Sequence, residues 1–391
     1  MPTVQFLASS DSTSALRLPR VTLSDEQTSP EGLRAAFQQG TGQPAFVLHD
    51  GGLGLGVAGE NYLVRMESDV SGAPQEAHTP LEHARAWQQP GWFAQTLDWL
   101  NSVLGEPVVK TEQVSTNDLA CVLRVVTEQR TVYLKASETG LEAALTARLA
   151  AQHPSLTPSV ITRNAERNVL VTQDCGSHLS KQPELDFWEK AVEKLSRFQT
   201  TVDARELQAL GCPVHDFTTL AERAETFLNS TGTLQNWGLT RTQAITLQAQ
   251  LPRISQARVA ALELPLLPAH GDAHPMNALT GGGAVWFDLS EACTAHPLLD
   301  IGWFLAWLSH PARHTLPLRQ KCPDAAVGLW DSYLQILSLP NAAHLLNDVM
   351  VLALTHRALV YHERFEKWEG TVPDWRPQAT PYYLRCLLKL L

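Results

Sequence analysis

The sequence predicts an α+β protein, in which a small α/β unit is followed by an antiparallel sheet and then by a mainly helical region. Its length of 391 residues is the first observation, because chains of this size usually divide into two or three units with separate cores. The second is the hydrophobic period, which is typical of strands up to about residue 174 and of helices beyond Gly176. The predicted segments are 1–88, 89–176 and 177–391.

The first segment contains four strand-like stretches and one helix. The strand-like stretches are VQFLA, LRLPRVTL, PAFVLHDG and YLVRMES, and the helical stretch is SPEGLRAAFQQ. The polar stretch Ser71–Thr79 (SGAPQEAHT) has the composition of a linker. We therefore expect a small α/β unit over residues 1–88.

The second segment begins with a helix, because PGWFAQTLDWLNSVLG has helical spacing of its apolar residues and ends on a glycine. Five candidate strands follow, with the helical stretch LEAALTARLAAQ between the third and the fourth. These strands are VVKTEQVS, ACVLRVVT, TVYLKAS, SVITRNA and NVLVTQD. A twisted antiparallel sheet with one inserted helix is expected over about residues 106–174.

Composition and charge exclude several classes of protein. The net charge of −10 comes without clustered Lys and Arg, which disfavours nucleic acid as a partner. No apolar run reaches the length of a membrane span, and the first residues lack the pattern of a secretory signal. The six cysteines lie far apart without a CxxC pair, which indicates reduced thiols and not a metal site. We expect a cytoplasmic protein that binds no membrane.

One loop with a hairpin interrupts the helical third segment and contains the candidate catalytic and metal-binding residues. It reads LLPAHGDAHPMNALTGGGAVWFDLS, with GGG as the turn. Asp272 lies in the loop, Asn277 follows it, and Asp288 ends the strand AVWFD across the hairpin. Carboxylate and amide oxygens of this kind suit Mg²⁺ bound to phosphates. Aspartate is also common in turns, so the prediction depends on the whole set of residues.

A two-metal site is the rival interpretation of this loop. His270, Asp272 and His274 alternate, so an extended strand would direct them to one side. Phosphoesterases of that type also need an early Asp-x-His and an Asn-His pair, and the sequence has neither. We therefore prefer the interpretation that the loop binds Mg²⁺ and phosphates for a phosphoryl transfer.

The string HGDAHPMNAL followed by VWFDLSEACTAHPLLDIGWF resembles the catalytic loop and metal-binding segment of the aminoglycoside phosphotransferase and choline kinase-like enzymes, which are relatives of protein kinases. The resemblance covers about residues 100–391. It implies a bilobal protein-kinase-like fold, with an antiparallel-sheet N-lobe and a mainly helical C-lobe after the small α/β domain. It further implies that Asp272 is the catalytic base and that Asn277 and Asp288 are Mg²⁺ ligands. Asp300 would brace the loop, and His270 would be a packing histidine.

The same resemblance implies a strand lysine and a helix glutamate in the N-lobe. Lys135 in VYLKAS would contact the α- and β-phosphates of ATP or GTP, and Glu142 would hold its ammonium. Glu138 is a competing partner, although Glu142 lies inside the helix. No glycine-rich phosphate loop is present, since the corresponding turn reads EQVSTNDLA. Ser115, Thr116 and Asn117 are therefore either nucleotide contacts or an ordinary turn.

The function implied is that of a small-molecule kinase, which moves the γ-phosphoryl group of ATP or GTP to a hydroxyl of a small acceptor. Acceptors that carry amines are included, because four acidic side chains lie on helices that could face the acceptor: Asp216, Glu222, Glu225 and Glu363. The alternative for each of them is a solvated surface charge. The alternative is a kinase-fold protein that binds nucleotide or ligand without transferring phosphate. The oligomeric state stays open.

Residues 15–48 also resemble a Nudix hydrolase core, with a strand reaching LP, a helix, and a TG turn into another strand. Nudix chemistry needs clustered glutamates on that helix, and RAAFQQGTG contains none. The resemblance thus implies a degenerate domain without hydrolase activity.

Overall fold

The computed structural model divides into two compact units. The first unit comprises Met1–Ala143, Val160–Asp174 and Trp368–Pro377, and the second comprises Ala144–Ser159, Cys175–Lys367 and Gln378–Leu391. Within them the structure describes residues 3–9, 14–23, 29–49, 61–67, 75–77, 85–117, 119–250, 262–366 and 376–391, together with Gln27 and Val259. The division of the chain into 1–88, 89–176 and 177–391 stays a prediction.

The amino-terminal part of the first unit is a five-stranded sheet with one helix. The strands are β1 Thr3–Ser9, β2 Ser14–Thr22, β3 Phe46–His49, β4 Asn61–Glu67 and β5 Gln75–Ala77, and helix α1 spans Pro30–Thr41. The order is β3-β4-β1-β2-β5, with β1 and β4 parallel and the other pairs antiparallel. Helix α1 starts where the Ser29 hydroxyl accepts the Gly32 N–H at 3.1 Å. This part of the chain therefore contains both strands and a helix, as expected, while its standing as a separate unit stays a prediction.

One strand of this sheet lies in the stretch predicted to be a linker. Gln75–Ala77 pairs antiparallel with Ser14, Ala15 and Leu16 of β2, so the linker prediction was wrong at these positions. A three-residue edge strand needs only the backbone hydrogen bonds of its neighbour, and its sequence therefore carries no hydrophobic alternation.

The second sheet of the first unit has the predicted antiparallel topology. Its strands are β6 Val108–Thr116, β7 Ala120–Thr127, β8 Thr131–Ser137, β9 Val160–Asn164 and β10 Val169–Gln173, in the order β6-β7-β8-β10-β9. The flanking helices are α2 Trp92–Leu104 and α3 Leu141–Gln152. Alternate residues of β7 and β8 are buried, which places Lys135 on the opposite face from Leu134 and Ala136.

The side chain of Gln113 joins the two sheets within this unit. Its amide accepts from the Val47 N–H at 2.8 Å and donates to the Val47 carbonyl at 3.0 Å. The Gln113 backbone N–H donates to the Glu31 carboxylate of α1 at 2.6 Å, and Phe46 stacks on Phe93. Gln113 is buried, so these contacts satisfy polar groups that have no access to water.

The second unit is mainly helical, as the sequence predicts. Its helices after α3 are α4 Leu185–Thr201, α5 Ala204–Ala209, α6 Phe217–Asn229, α7 Thr231–Asn236, α8 Arg241–Ala249, α9 Leu298–Ser309, α10 Pro317–Lys321, α11 Ala325–Ile336, α12 Leu346–Glu366 and α13 Arg376–Leu390. Part of the predicted helical stretch RTQAITLQAQLPRISQARVAAL lies outside the described residues. None of the described helices has the length and apolar character needed to cross a bilayer.

Helix α9 lies at the centre of the hydrophobic core of the second unit. Every residue from Leu298 to Leu308 is buried, which is the pattern of a helix surrounded by protein. A β-carbon on Gly302 would lie 2.5 Å from the Val349 carbonyl oxygen, so α9 and α12 approach closely only because glycine stands here.

Two short pieces of sheet complete the second unit. Strands β11 Val214–His215, β12 Leu267–Ala269 and β15 Cys293–Ala295 form one sheet in the order β11-β15-β12. Strands β13 Ala278–Leu279 and β14 Val285–Trp286 form the predicted hairpin, with Gly281–Gly283 at its turn. Strand β14 ends at Trp286, two residues before Asp288, which has φ 61°.

Candidate active site

The loop between β12 and β13 carries Asp272, and glycine is required in it immediately before that residue. Gly271 has φ +80°, and a β-carbon there would lie 1.8 Å from the backbone oxygen of Glu291. No side chain fits at such a distance, and the neighbouring atom belongs to backbone that cannot rotate away. The loop therefore packs directly against the segment that follows Asp288.

Replacement of Gly271 with alanine is expected to destabilise the protein by about 2 kcal/mol or more, since positive φ and backbone overlap act together. Urea unfolding measures this change. Gly328 of α11 is the matched control, because a β-carbon there meets nothing within 4 Å. A loss for Gly271→Ala no larger than that for Gly328→Ala would contradict the expectation.

His270 anchors the loop from behind and is 1% exposed. Its Nε2–H donates to the Phe287 carbonyl at 2.8 Å, and its Nδ1 accepts the Asp272 N–H at 3.3 Å. The ring also packs edge-on against Trp286. Both nitrogens are engaged, and the predicted packing role is confirmed.

Asp300, at the start of α9, holds the loop by its backbone. Its Oδ2 accepts the His270 N–H at 2.7 Å and its Oδ1 accepts the Gly271 N–H at 3.0 Å. Burial raises the pKa of this carboxyl, although the two backbone donors act in the opposite direction. The predicted bracing contact is confirmed.

The carboxylate of Asp272 is held mainly at one oxygen. Trp303 Nε1–H donates to Oδ1 at 2.9 Å, and Nη2 of Arg357 lies 3.1 Å from the same oxygen. Asn277 Nδ2 donates to the Asp272 backbone carbonyl at 3.0 Å and lies 3.5 Å from Oδ2. His274 Nε2 is 3.7 Å from Oδ2. The side chain is thus fixed but remains 18% exposed.

Two residues that contact Asp272, Trp303 and Arg357, were not predicted from the sequence. Arg357 is the clearer omission, because it stands inside the apolar stretch VMVLALTHRALVY of α12. An arginine within such a helix is almost never fully buried unless it is paired, which is the signal that could have indicated an acidic partner.

Asn277 and Asp288 lie at neighbouring positions on the hairpin. The Phe287 N–H donates to the Asn277 carbonyl at 3.0 Å, which brings the residue before Asp288 opposite Asn277. Ser290 Oγ–H donates to Asp288 Oδ1 at 2.8 Å. An amide oxygen and a carboxylate are the sparse oxygen set that Mg²⁺ combines with phosphate oxygens and water, so the two residues fit the predicted metal.

The rival two-metal interpretation is not supported. His270 uses both nitrogens as described, and His274 Nδ1 accepts the Met276 N–H at 3.2 Å. Across the part of the chain that the structure describes, no three His, Cys, Asp or Glu side chains are placed to hold a metal ion together. The alternation His270, Asp272, His274 arises from a loop and not from an extended strand.

In the first unit, Lys135 pairs with Glu142 as predicted. Lys135 Nζ lies 2.9 Å from Oε1 and 2.8 Å from Oε2, and Glu142 is 4% exposed. The competing Glu138 instead pairs with Arg85 at 2.8 Å. The ion pair orients the ammonium of Lys135, and its contact with nucleotide stays a prediction.

The turn between β6 and β7 is ordinary in its contacts. Asn117 Oδ1 accepts the backbone N–H groups of Leu119 at 2.8 Å and Ala120 at 3.1 Å, which is an Asx-type turn. Thr116 is buried and accepts from the Gln113 amide at 2.9 Å. These contacts favour the turn interpretation for Ser115, Thr116 and Asn117.

The acidic side chains considered for an amine acceptor are partly engaged. Asp216 caps α6 by accepting the Thr219 N–H at 2.9 Å. Glu363 pairs with Arg223, with nitrogen to oxygen distances of 2.6 and 2.7 Å. Glu222 and Glu225 are exposed. The contacts of Asp216 and Glu363 therefore stabilise the helices on which they lie.

Comparison with known proteins gives a family match. The model of the phosphotransferase enzyme family (APH) matches residues 111–321, more than half of the chain. The match spans Lys135, Glu142, Asp272, Asn277 and Asp288. No curated protein matches the chain in sequence. The resemblance of residues 15–48 to a Nudix core gains no support from the family match and stays a prediction.

Solved structures share the fold at low sequence identity. Aminoglycoside 2'-phosphotransferase-IIIa in its GDP complex matches with TM-score 0.54 and 10% identity, over 77% of this chain and 98% of that chain. A choline/ethanolamine kinase family protein from Mesorhizobium loti matches with TM-score 0.52 and 16% identity, over 75% and 93%. The complex of APH(2'')-IIIa with GDP and kanamycin matches with TM-score 0.50 and 11% identity, over 74% and 98%. The predicted kinase-like fold is confirmed.

Proposed function

We propose, because the chain belongs to the phosphotransferase enzyme family, that it transfers the γ-phosphoryl group of ATP or GTP to a hydroxyl of a small molecule. The carboxylate of Asp272 carries this proposal, since it is held at Oδ1 on the loop that also contains Asn277, with Asp288 at the far end of the hairpin that follows. A carboxylate fixed in this way can orient an attacking hydroxyl and accept its proton.

The other predicted residues supply positioning for the same reaction. Asn277 and Asp288 would hold Mg²⁺, which neutralises charge on the phosphate oxygens when it is bound. Lys135 would bind the α- and β-phosphates, with Glu142 fixing its ammonium at 2.8 Å. GDP complexes of similar proteins are a reason to test GTP beside ATP.

Replacement of Lys135 with methionine is expected to weaken nucleotide affinity by about tenfold or more, because a hydrogen-bonded cation is lost. Titration of the protein with Mg²⁺-nucleotide measures this affinity. Lys110→Met is the matched control, since Lys110 lies on the same sheet but is exposed and pairs with Glu112. Equal affinities for the two variants would remove Lys135 from the nucleotide site.

The acceptor is proposed to be a small hydroxylated molecule, with amine-bearing compounds included. One protein with the same fold belongs to the choline/ethanolamine kinase family, and another forms a complex with GDP and kanamycin. Asp216 caps α6 and Glu363 pairs with Arg223, so contact of either carboxylate with an amine would compete with these interactions. Identification of the acceptor therefore needs a chemically broad panel.

A cytoplasmic location is part of the proposal. None of the six cysteines, all of which the structure describes, forms a disulfide, and Cys121, Cys212, Cys293 and Cys386 are buried. Burial raises the pKa of the Cys121 thiol to about 12, which keeps it protonated and unreactive. Free thiols of this kind are typical of reducing compartments.

The direct test is nucleotide turnover by the full chain with Mg²⁺ and either ATP or GTP, across hydroxylated amines, amino sugars and neutral sugars. Acceptor-dependent turnover that Asp272→Asn abolishes would support the kinase. Equal, low turnover by both proteins together with nucleotide binding would favour the alternative, a kinase-fold binding protein. Retention of Lys135, Asp272, Asn277 and Asp288 favours the kinase.

A further inference from the structure

A fully buried arginine contacts the proposed catalytic carboxylate from behind. Arg357, on helix α12, is 1% exposed. Its Nη2 lies 3.1 Å from Asp272 Oδ1, and its Nη1 donates to the Gly271 carbonyl at 3.0 Å. One guanidinium group therefore contacts both the side chain of Asp272 and the backbone just before it.

A second carboxylate keeps this guanidinium in place. Glu291 accepts from Arg357 Nη1 through Oε2, while its Oε1 pairs with Arg364 at 3.1 Å. Burial by itself would lower the pKa of Arg357, but the carboxylates of Asp272 and Glu291 hold that pKa well above its ordinary value. Arg357 is consequently a permanent cation with two anionic partners.

Aromatic rings enclose the remaining faces of the guanidinium. The Cζ atom of Arg357 lies 5.7 Å from the ring centroid of Trp303, 5.2 Å from that of Tyr361 and 5.7 Å from that of Tyr383. Trp303 also donates a hydrogen bond to Asp272 Oδ1, the oxygen that pairs with Arg357. The rings exclude water and restrict the guanidinium to one orientation.

We propose that Arg357 is a positioning residue, which together with Trp303 fixes Oδ1 of Asp272 and so presents Oδ2 to the acceptor hydroxyl. This inference rests on the proposed function. Arg357 is too deeply buried to contact a substrate, and it therefore acts through Asp272. The hydrogen bond from Trp303 and the charge of Arg357 act on the same oxygen and oppose rotation of the carboxylate. Misplacement of a catalytic group by about 1 Å can lower a rate by about 100-fold.

Steady-state kinetics of Arg357→Met, with the acceptor found for the unmodified protein, test the proposal. We expect kcat to fall by about 10- to 100-fold, with KM for nucleotide and acceptor changed by about twofold or less, because only the transition state loses an interaction. Arg357→Lys, which keeps the charge, is expected to recover part of the loss. Arg223→Met is the control, since Arg223 pairs with Glu363 on the helix that also carries Arg357.

The double variant Arg357→Met with Asp272→Asn separates positioning from a structural role. Once the carboxylate is gone, removal of Arg357 is expected to change residual turnover by about twofold or less, since residues that act as a unit are not additive. An arginine that only stabilises the fold would lower the turnover of both backgrounds by the same factor, and that result would overturn the proposal.

Removal of a buried cation can also prevent folding, so a second variant is needed. Glu291→Gln keeps the shape and weakens the hold on Arg357, and we expect a fall in kcat of about 3- to 10-fold at unchanged KM. Unchanged kcat in both Glu291→Gln and Arg357→Lys would overturn the positioning role alone. Absence of turnover by the unmodified protein would overturn the proposed function, and the positioning role with it.

Discussion

Replacement of Asp272 with asparagine is expected to lower kcat by about 100-fold or more, while nucleotide affinity changes by about twofold or less. Asparagine has nearly the same shape, but it cannot accept the proton of the attacking hydroxyl. Its amide oxygen can still accept from Trp303, which places the NH2 group where Oδ2 stood. Coupled measurement of nucleoside diphosphate release gives kcat, and nucleotide titration gives the affinity.

The control for this variant is Asp203→Asn, which makes the same substitution at the start of α5. Asp203 Oδ1 accepts the Arg205 N–H there. Its turnover should match that of the unmodified protein. Retention of more than about a tenth of the turnover by Asp272→Asn would contradict a role for Asp272 as catalytic base.

Replacement of Asp288 with alanine is expected to weaken Mg²⁺-nucleotide binding by about tenfold or more, because a hard cation loses its charged ligand. The defect should be confined to the metal complex. Calorimetric titration with nucleotide in the presence of Mg²⁺, and again in its absence with a chelator, isolates the metal-dependent part. The two proteins should bind metal-free nucleotide with similar affinity.

Ser290→Ala is the matched variant for this comparison. It removes the hydroxyl that donates to Asp288 Oδ1 at 2.8 Å but leaves the carboxylate in place. Its effect on Mg²⁺-nucleotide affinity should be small. An Asp288→Ala protein that still gains affinity from Mg²⁺ as strongly as the unmodified protein would exclude Asp288 as a ligand.

The sequence predicted those parts of the fold and site that depend on local patterns. Alternating burial in β7 and β8 was visible as strand periodicity, and the GGG turn indicated the hairpin. The choice of Glu142 over Glu138 as the partner of Lys135 was correct, since the helical position of Glu142 brings it within 2.8 Å. In each case residues close in sequence determine the geometry.

Contacts between distant segments could not be predicted in the same way. Trp303 is 31 positions from Asp272, and Arg357 is 86 positions from Gly271, so their approach depends on how α9 and α12 pack. Strand β5 was missed because its pairing with β2 needs only backbone groups. The left-handed backbone of Asp288 was likewise missed, since its sequence reads as the end of a strand.

The contacts of Gln113 have a consequence for any shortened form of the chain. Its side-chain amide substitutes for a peptide group, since it serves both the N–H and the carbonyl of Val47. Removal of the first 88 residues would leave that amide without these partners and would uncover the face of Phe93 that Phe46 now occupies. A truncated protein would therefore expose an apolar surface and an unpaired amide beside the sheet that carries Lys135. We expect such a protein to aggregate before its activity can be assayed.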